Sequence, residues 1–536
     1  MRAPGTDTLA GLGAMLRLVL RRNRVRLAVW WVVLVGLFAY VGAYYKTLFT
    51  TQAALDDFAA LSNTPSMRAL TGLAANPNTL GGAVWTKIWM TCALTLAFGI
   101  LFLVTRSGRA DEEAGRTELL RSRMLGRHAY SVASWLVNAA LCVAVGAGVA
   151  FASAASGLDP AGTGITGSLV VGASVTGVGL VAIAVGALAG QLASTSRGAN
   201  ALGSIIFGVF YVLRMVGDLG DGRWTWVSPL GWGQHMQPWG ANRWWPFIML
   251  VGLSGVLLAV AARLEARRDL GAGLVPDRPG PAGAPARYCT PLGLALRLQR
   301  GPIIGWSATI VLSALLFGSV VQAMTNLLAD AGPTATAMIG GTGVKALLSL
   351  LVLMIAMITT VFALQSATSL RADEASGIIE PQLAGALSRT RWVIQRLLIP
   401  AVGTATLLLL GGACMGAGYG SLINDPGQTS RLTLAALAYW PAVMVLVGVA
   451  VALFGWLPRL AIPLTWGVLS AMWFVVLIGD ALHLPGWLLN LLPFSATPRQ
   501  PLVSLTWTPL VVMTLVAAGL IWTGLDRFAR RDVQPG

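Results

Sequence analysis

Twelve apolar runs punctuate the chain, near 27–45, 86–105, 130–153, 165–190, 199–217 and 245–262, then near 304–322, 346–367, 394–417, 433–456, 463–480 and 508–525. Each is close to the length that carries an α-helix across a hydrocarbon layer. In that layer no water satisfies the backbone, so only helices or closed barrels cross it. A barrel strand needs roughly 9–11 residues and alternates apolar with polar positions, whereas these runs are longer and apolar throughout. The expected fold is an all-α polytopic membrane protein with twelve transmembrane helices. Composition serves as a check: charged residues make up 11%, against about 25% in a soluble domain, and the mean hydropathy is +0.71.

The runs fall into two sets of six around residues 271–290, a Gly/Pro/Ala segment without apolar periodicity. We expect a first six-span half over 1–270, a cytoplasmic linker over 271–290 and a second half over 291–536. A charged elbow follows the second run, Arg109 to Glu118, and another follows the eighth, Arg371 to Glu380. They align without gaps, with six of ten residues identical. Arg109, Asp111, Glu112, Gly115 and Glu118 match Arg371, Asp373, Glu374, Gly377 and Glu380, while Glu113, Arg116 and Leu119 give way to Ala375, Ile378 and Pro381. Gly217-Asp218 recurs as Gly479-Asp480, and Ala266-Arg267-Arg268-Asp269 as Ala529-Arg530-Arg531-Asp532.

On one continuous helix Asp111, Gly115 and Glu118 share a stripe, as do Asp373, Gly377 and Glu380. Two acids around a glycine suit close approach by a partner that pairs with carboxylates. The alternative is that the glycines break the helix and the acids balance nearby arginines. Duplication of the same residues favours docking.

Residues 1–26 form a basic, partly amphipathic lead, with Leu12, Met15, Leu16, Val19 and Leu20 at helical spacing among Arg17, Arg21, Arg22, Arg24 and Arg26. A signal peptide is the competing reading, with Val41-Gly42-Ala43 as a loose cleavage site. The same region recurs internally, Leu20-Arg21 to Trp30 matching Leu296-Arg297 to Trp306, so the first run is expected to be retained. With the N-terminus inside, most of the 37 Lys and Arg fall on the cytoplasmic side. Six spans return the chain to that side, so the repeats are parallel, both elbows are cytoplasmic, and so are both termini. The outer segment 218–244 carries Trp224, Trp226, Trp232 and Trp239 and leads into Trp244 and Trp245, expected as an interfacial aromatic belt rather than a binding cage.

No enzyme constellation is present. Gly340-Gly341-Thr342-Gly343-Val344-Lys345 resembles a phosphate loop, but Ala346 replaces the Ser or Thr and no strand precedes it. The cysteines (Cys92, Cys142, Cys289, Cys414) and histidines (His128, His235, His483) are scattered, which excludes a disulfide framework and a metal site. The net charge of +16 lies between apolar runs, not on a soluble face with stacking aromatics, so it sets orientation and does not read as nucleic-acid binding. The acids fall in loops, termini or span ends, whereas ion-coupled carriers usually need an intramembrane ionisable group. Arg214, one turn before Asp218, is the nearest to one, and Val476 replaces it in the second half. Energy is therefore expected to arrive through the cytoplasmic elbows.

The elbow (Glu112 and Glu113, Gly115, then Glu118-Leu119-Leu120), its copy at Glu374, Gly377 and Glu380, the six-plus-six arrangement and the Arg-Arg-Asp endings resemble the permeases of ABC-2-type exporters, in the actinobacterial multidrug or polyketide-antibiotic (tetronasin-like) branch. The resemblance covers essentially the whole chain. It implies a type V exporter fold, with an amphipathic connecting helix before each half's first span (about 8–25 and 290–301) and a cytoplasmic coupling helix after its second (109–125 and 371–387). It implies a separate ABC ATPase, in two copies, that docks on Arg109, Asp111, Glu112, Glu113, Gly115, Glu118 and on Arg371, Asp373, Glu374, Gly377, Glu380. ATP and Mg would be bound by that partner, and no cofactor or metal by this chain. The differences between the elbows put equal contacts to the two ATPase subunits in doubt.

The resemblance also implies export between the halves, past residues of the second and fifth spans: Trp89, Phe98, Phe102, Phe207, Phe210 and Tyr211, then Met354, Met357, Phe362, Trp466, Met472 and Trp473. Met and aromatic surfaces adapt to varied apolar ligands; any single one of these residues reads better as lipid-facing or helix-packing. The implied function is ATP-driven export of amphipathic, drug-like or antibiotic molecules across a bacterial plasma membrane. Export of a cell-envelope lipid or glycolipid precursor is the rival within that mechanism. An ion-coupled secondary transporter, disfavoured by the missing intramembrane acids, and a membrane scaffold are rivals from other classes.

Overall fold

The computed structural model describes residues 8–534 except 64–66, 69–70, 74–75, 122–124, 161–163, 221, 270, 276–281, 284, 289, 331–342, 386 and 479–491, and the side chains at 61, 319–320 and 322–330. The look-alike glycine loop at Gly340, the repeat pair Gly479-Asp480, Cys289 and His483 fall wholly or partly outside these residues. Among the described residues there is no strand, and eleven helices are long and apolar enough to cross a membrane. The chain divides into two units, Met1–Gly280 and Pro281–Gly536.

The first unit comprises α1 (Leu12–Leu48), α2 (Gln52–Ser62), α3 (Leu80–Arg106), the short α4 (Arg109–Glu113) and α5 (Arg116–Arg121), then α6 (Ala129–Ala155), α7 (Thr166–Leu192), α8 (Ser196–Leu219), α9 (Pro229–Gln234) and α10 (Trp245–Arg267). Helix α7 is its axis and packs on α3, α6, α8 and α10. Its glycine-rich sequence, the least distinct of the apolar runs, suits that place. A Cβ on Gly172 would lie 2.3 Å from the Gly146 carbonyl oxygen, one on Gly177 2.6 Å from Leu250, and one on Gly179 2.6 Å from Cys142 Sγ. Between helices surrounded by lipid there is little hydrophobic gain, so close backbone packing of small residues replaces it.

The expected connecting helix at 8–25 is not a separate element. It continues into the first span as one 37-residue helix, because nothing between Arg21 and Trp30 stops a helix. Its amphipathic face does not lie free along the membrane: Met15 and Val19 are buried with Ala129, Ala133 and Val137 of α6.

The second unit comprises α11 (Pro291–Asp330), α12 (Val344–Ala375), α13 (Ile379–Leu383), α14 (Arg389–Ile423), α15 (Gly427–Leu437), α16 (Trp440–Trp456), α17 (Ala461–Ile478), α18 (Pro493–Ala496) and α19 (Trp507–Arg530). Here too the connecting segment at 290–301 is fused to its span. Helix α16 packs tightly on α19: a Cβ on Gly455 would meet the Gly524 carbonyl oxygen at 2.4 Å. The eleventh apolar run is α17, whose apolar part, Ala461–Val476, is shorter than the other eleven candidate spans.

The tryptophans of 218–245 do not all stand exposed as one belt. Trp224, Trp244 and Trp245 are exposed, but Trp239 is buried. Its ring lies on Gly81 and Gly167, and its N–H donates to Asp159 at 3.0 Å. Trp226 stacks between His235 (4.0 Å) and Trp245 (4.9 Å).

Candidate functional site

Both elbows are broken by their glycine. Gly115 has φ +68° and Gly377 φ +73°, the left-handed region that glycine enters without a Cβ penalty. Asp111 and Glu118 therefore belong to α4 and α5, not to one helix, and in the second half Asp373 ends α12 while Glu380 belongs to α13. The expected stripe Asp111–Gly115–Glu118, with its copy, and the single coupling helices 109–125 and 371–387 are corrected accordingly. The left-handed glycine turns the chain before a second helical turn can stack on the first. Among the described residues, and apart from its own chain neighbours, no atom lies within 4 Å of a Cβ built on either glycine.

Asp111, Glu112, Asp373 and Glu374, on the near side of each glycine, pair with arginines of their own half. Glu112 accepts from Arg109 at 3.0 Å and from both terminal nitrogens of Arg268, at 2.9 and 2.5 Å. Arg109, fully buried, also donates to the carbonyls of Ser194, Gly271 and Ala272. The second elbow repeats this geometry. Glu374 accepts from Arg371 at 3.0 Å, from Arg531 at 2.6 and 2.9 Å, and from the Gln534 N–H at 3.0 Å, and Arg371 reaches the Gln534 carbonyl at 2.7 Å. In both halves an elbow Arg–Glu pair is clamped to the arginine just past the last span and to the backbone after it. The linker residues next to the first clamp also lie with the first half: Leu274 and Val275 donate to the carbonyls of Gln191 and Leu192.

Asp111 and Asp373 keep the acid but exchange the base. Asp111 accepts from Arg22 of α1 at 2.5 and 2.8 Å, from Tyr130 at 2.5 Å and from Arg116 at 2.9 Å. In the repeat register Leu298 stands at Arg22, and Asp373 pairs instead with Arg396 of α14, where the first half has Ser134. The guanidinium of Arg396 lies 4.5 Å over the Trp392 ring. Glu113 accepts the Ser196 N–H at 2.8 Å and its hydroxyl at 2.5 Å, an anion on the N-terminus of α8; Ala375 cannot do this. Glu118 and Glu380 are exposed.

Four of the expected path residues of the first half come together. Phe98 and Phe102 of α3 lie 6.3 Å apart, Phe98 is 6.1 Å from Phe207 of α8, and Phe207 is 5.7 Å from Phe210. Tyr211 is partly buried against the same core, with Arg214 stacked 4.7 Å above its ring. Trp89 is buried away from them against Trp85 and donates to Ser174 at 3.0 Å. In the second half Met357, Phe362 and Met472 are buried core, Phe362 lying against Gly403, while Met354, Trp466 and Trp473 are partly buried against that core. Arg214 and Asp218 form a fully buried pair at 3.1 Å near the end of α8, where Thr225 and Gln234 also donate to the carboxylate.

Sequence reasoning omitted Arg268, Arg531, Arg22 and Arg396 from the site. The first two carried a usable signal, since both stand in the repeated Ala-Arg-Arg-Asp tail. Arg22 and Arg396 carried none, because each occurs in one half alone.

Residues 289–529 match the family model described as the C-terminal domain of the multidrug efflux system permease Rv1217c. Over 542 aligned residues the chain is 36% identical to the multidrug efflux system permease protein Rv1217c of Mycobacterium tuberculosis, covering 99% of this chain and 97% of the relative. Identity at that level over both halves, on a polytopic helical fold, shows that the chain belongs to the family of actinobacterial ABC-type multidrug exporter permeases.

Proposed function

We propose that the chain is the membrane permease of an ATP-driven exporter that moves amphipathic, drug-like or antibiotic molecules out of a bacterial cell. The relative's name as a multidrug efflux permease supports this reading, and the duplicated clamp carries it structurally. A helix elbow fastened by buried charge pairs to the last span of its own half is a rigid lever: a load on the elbow reaches that span without being absorbed by side-chain slack. ATP and Mg would be held by a separately encoded ABC ATPase, in two copies, beneath both cytoplasmic elbows, and both termini would be cytoplasmic. Asp111, Glu112, Asp373 and Glu374 set the shape of the elbow, and the exposed Glu118, Leu119, Glu380 and Pro381 present it. The phenylalanine cluster of Phe98, Phe102 and Phe210, backed by the buried Phe207, supplies an apolar, aromatic wall for the transported molecule.

The test is co-expression with ABC ATPases of the source organism, co-purification and measured ATP turnover. The chain alone is expected to bind no ATP. The complex should hydrolyse it, and Glu118→Lys with Glu380→Lys should release the ATPase while leaving the chain inserted and monodisperse. Micromolar ATP binding by the chain alone, or a complex indifferent to that double variant, overturns the reading.

A further inference from the structure

The first half holds a cavity of about 400 Å³ beside its elbow, walled by α1, α3, α4 and the first turns of α8. Two guanidiniums, Arg26 and Arg106, line it together with Trp30, Phe102, Thr105 and Asn200. The Trp30 ring can lie on α3 because residue 99 is glycine; a Cβ there would come within 2.7 Å of the indole.

The charge in this cavity is not neutralised by the protein. Asp111 is taken by Arg22, Tyr130 and Arg116, Glu112 by Arg109 and Arg268, and Glu113 by Ser196. Among the described residues Arg106 donates no hydrogen bond, and Arg26 only a long one to Asn23 at 3.4 Å. Arg26, Arg22 and Arg116 all act on Arg106 as like charges, with Asp111 as the opposing one. Asn200 accepts from the Thr105 hydroxyl through its oxygen, which leaves its amide N–H groups to donate elsewhere. Guanidiniums pair bidentately with phosphate or carboxylate, and an aromatic wall beside them suits the first carbons of an attached chain.

The second half lacks both guanidiniums and the amide of this arrangement. The register that lays Trp30 on Trp306 puts Pro302 at Arg26, and the elbow register puts Thr368 at Arg106 and Ala367 at Thr105. Matching Gly217 to Gly479 puts Ile462 at Asn200. The Trp306 N–H is spent on Gln365 at 2.7 Å, whereas Trp30 makes no such bond among the described residues.

We propose that this cavity binds the anionic headgroup of an amphiphile, a phosphate or carboxylate carried on an apolar chain, and that it does so in the first half alone. Its role in transport rests on the exporter reading above. Binding does not, since it is measured on the chain without nucleotide or ATPase.

The experiment is native mass spectrometry of the full chain released from a neutral polyoxyethylene detergent. The probes are hexadecyl phosphate, hexadecylphosphocholine, phosphatidylglycerol and inorganic phosphate. The parent chain should retain one hexadecyl phosphate at least about tenfold more tightly than hexadecylphosphocholine, whose phosphate is already paired. Arg26→Gln with Arg106→Gln should erase that preference while Arg297→Gln, the nearest arginine of the second-half segment matching the lead, leaves it intact. Displacement by phosphatidylglycerol assigns the site to the bilayer's own lipid; failure to displace assigns it to a single-chain, transported amphiphile. Equal retention of the two probes by the parent, an unchanged preference in the double variant, or displacement by equimolar inorganic phosphate overturns the proposal.

Discussion

Arg530 and Arg531 are neighbours in the chain and should behave oppositely when truncated. Arg531 is 8% exposed and its partner Glu374 is wholly buried, with four hydrogen bonds converging on that carboxylate from Arg371, Arg531 and the Gln534 N–H. Arg531 also rests on the Phe454 and Phe528 rings, 5.1 and 5.0 Å from their centroids. Arg531→Leu removes two of the four bonds and leaves a buried charge under-compensated, a change that costs about 3–5 kcal/mol. Arg371 and the Gln534 N–H remain, so the lower end of that range, about 3 kcal/mol, is expected. Arg530 pairs with Asp526 at 2.8 Å, but the two side chains are 73% and 42% exposed, so Arg530→Leu should cost only about 0–1 kcal/mol. The assay is hydrogen–deuterium exchange of the full chain in nanodiscs, read on peptides covering 372–383. At 1.4 kcal/mol per tenfold, Arg531→Leu should lower protection there about 100-fold, with little change from Arg530→Leu. Equal exchange in the two variants would mean that the pair does not hold the elbow, and the lever reading would fall with it.

Gly115→Ala and Gly115→Leu should each cost about 1–2 kcal/mol in the isolated chain, because the left-handed backbone is strained for any L side chain and open space receives either; thermal unfolding in detergent checks the equality, and a larger loss of ATPase co-purification with Leu would mark a docked surface there. Asp111→Asn should cost less than Arg531→Leu, about 1–3 kcal/mol, since Arg116 is 59% exposed and Arg22 27% exposed and both can turn to water; the same exchange assay on 109–121 reads it, and a larger cost than Arg531→Leu contradicts the argument. Gly146→Val should yield no monodisperse protein by size-exclusion chromatography, because its Cβ alone would sit 2.4 Å from the Gly172 carbonyl oxygen. Single cysteines at Leu119 and Glu380 should resist an impermeant thiol reagent in intact cells and react after permeabilisation; labelling of either from outside refutes a cytoplasmic elbow.

The spans were legible because crossing a bilayer is a local requirement: about twenty consecutive residues must be apolar and must satisfy their own backbone, and both properties are written along the chain. Eleven of the twelve runs coincide with helices long enough to cross, and α17 occupies the remaining one. The repeated elbow was equally legible, since duplication preserves residue order. What those residues touch was not. The distant partners of Glu112 and Glu374, Arg268 and Arg531, lie 156 and 157 residues away, and only the packing of each last span among the other helices of its half brings them within hydrogen-bond reach. Periodicity assigned Asp111 and Glu118 to one face; Gly115 entered the left-handed region instead, and the two acids parted, one buried and one exposed. The amphipathic lead was visible by its spacing, but its burial on α6 and its fusion to the first span depended on what lay beside it. Sequence alone fixes which segments leave water, because that is a property of each segment. Which charge meets which is decided by tertiary packing, because the elbow carboxylate takes whichever arginine the fold delivers: Arg22 for Asp111 and Arg396 for Asp373.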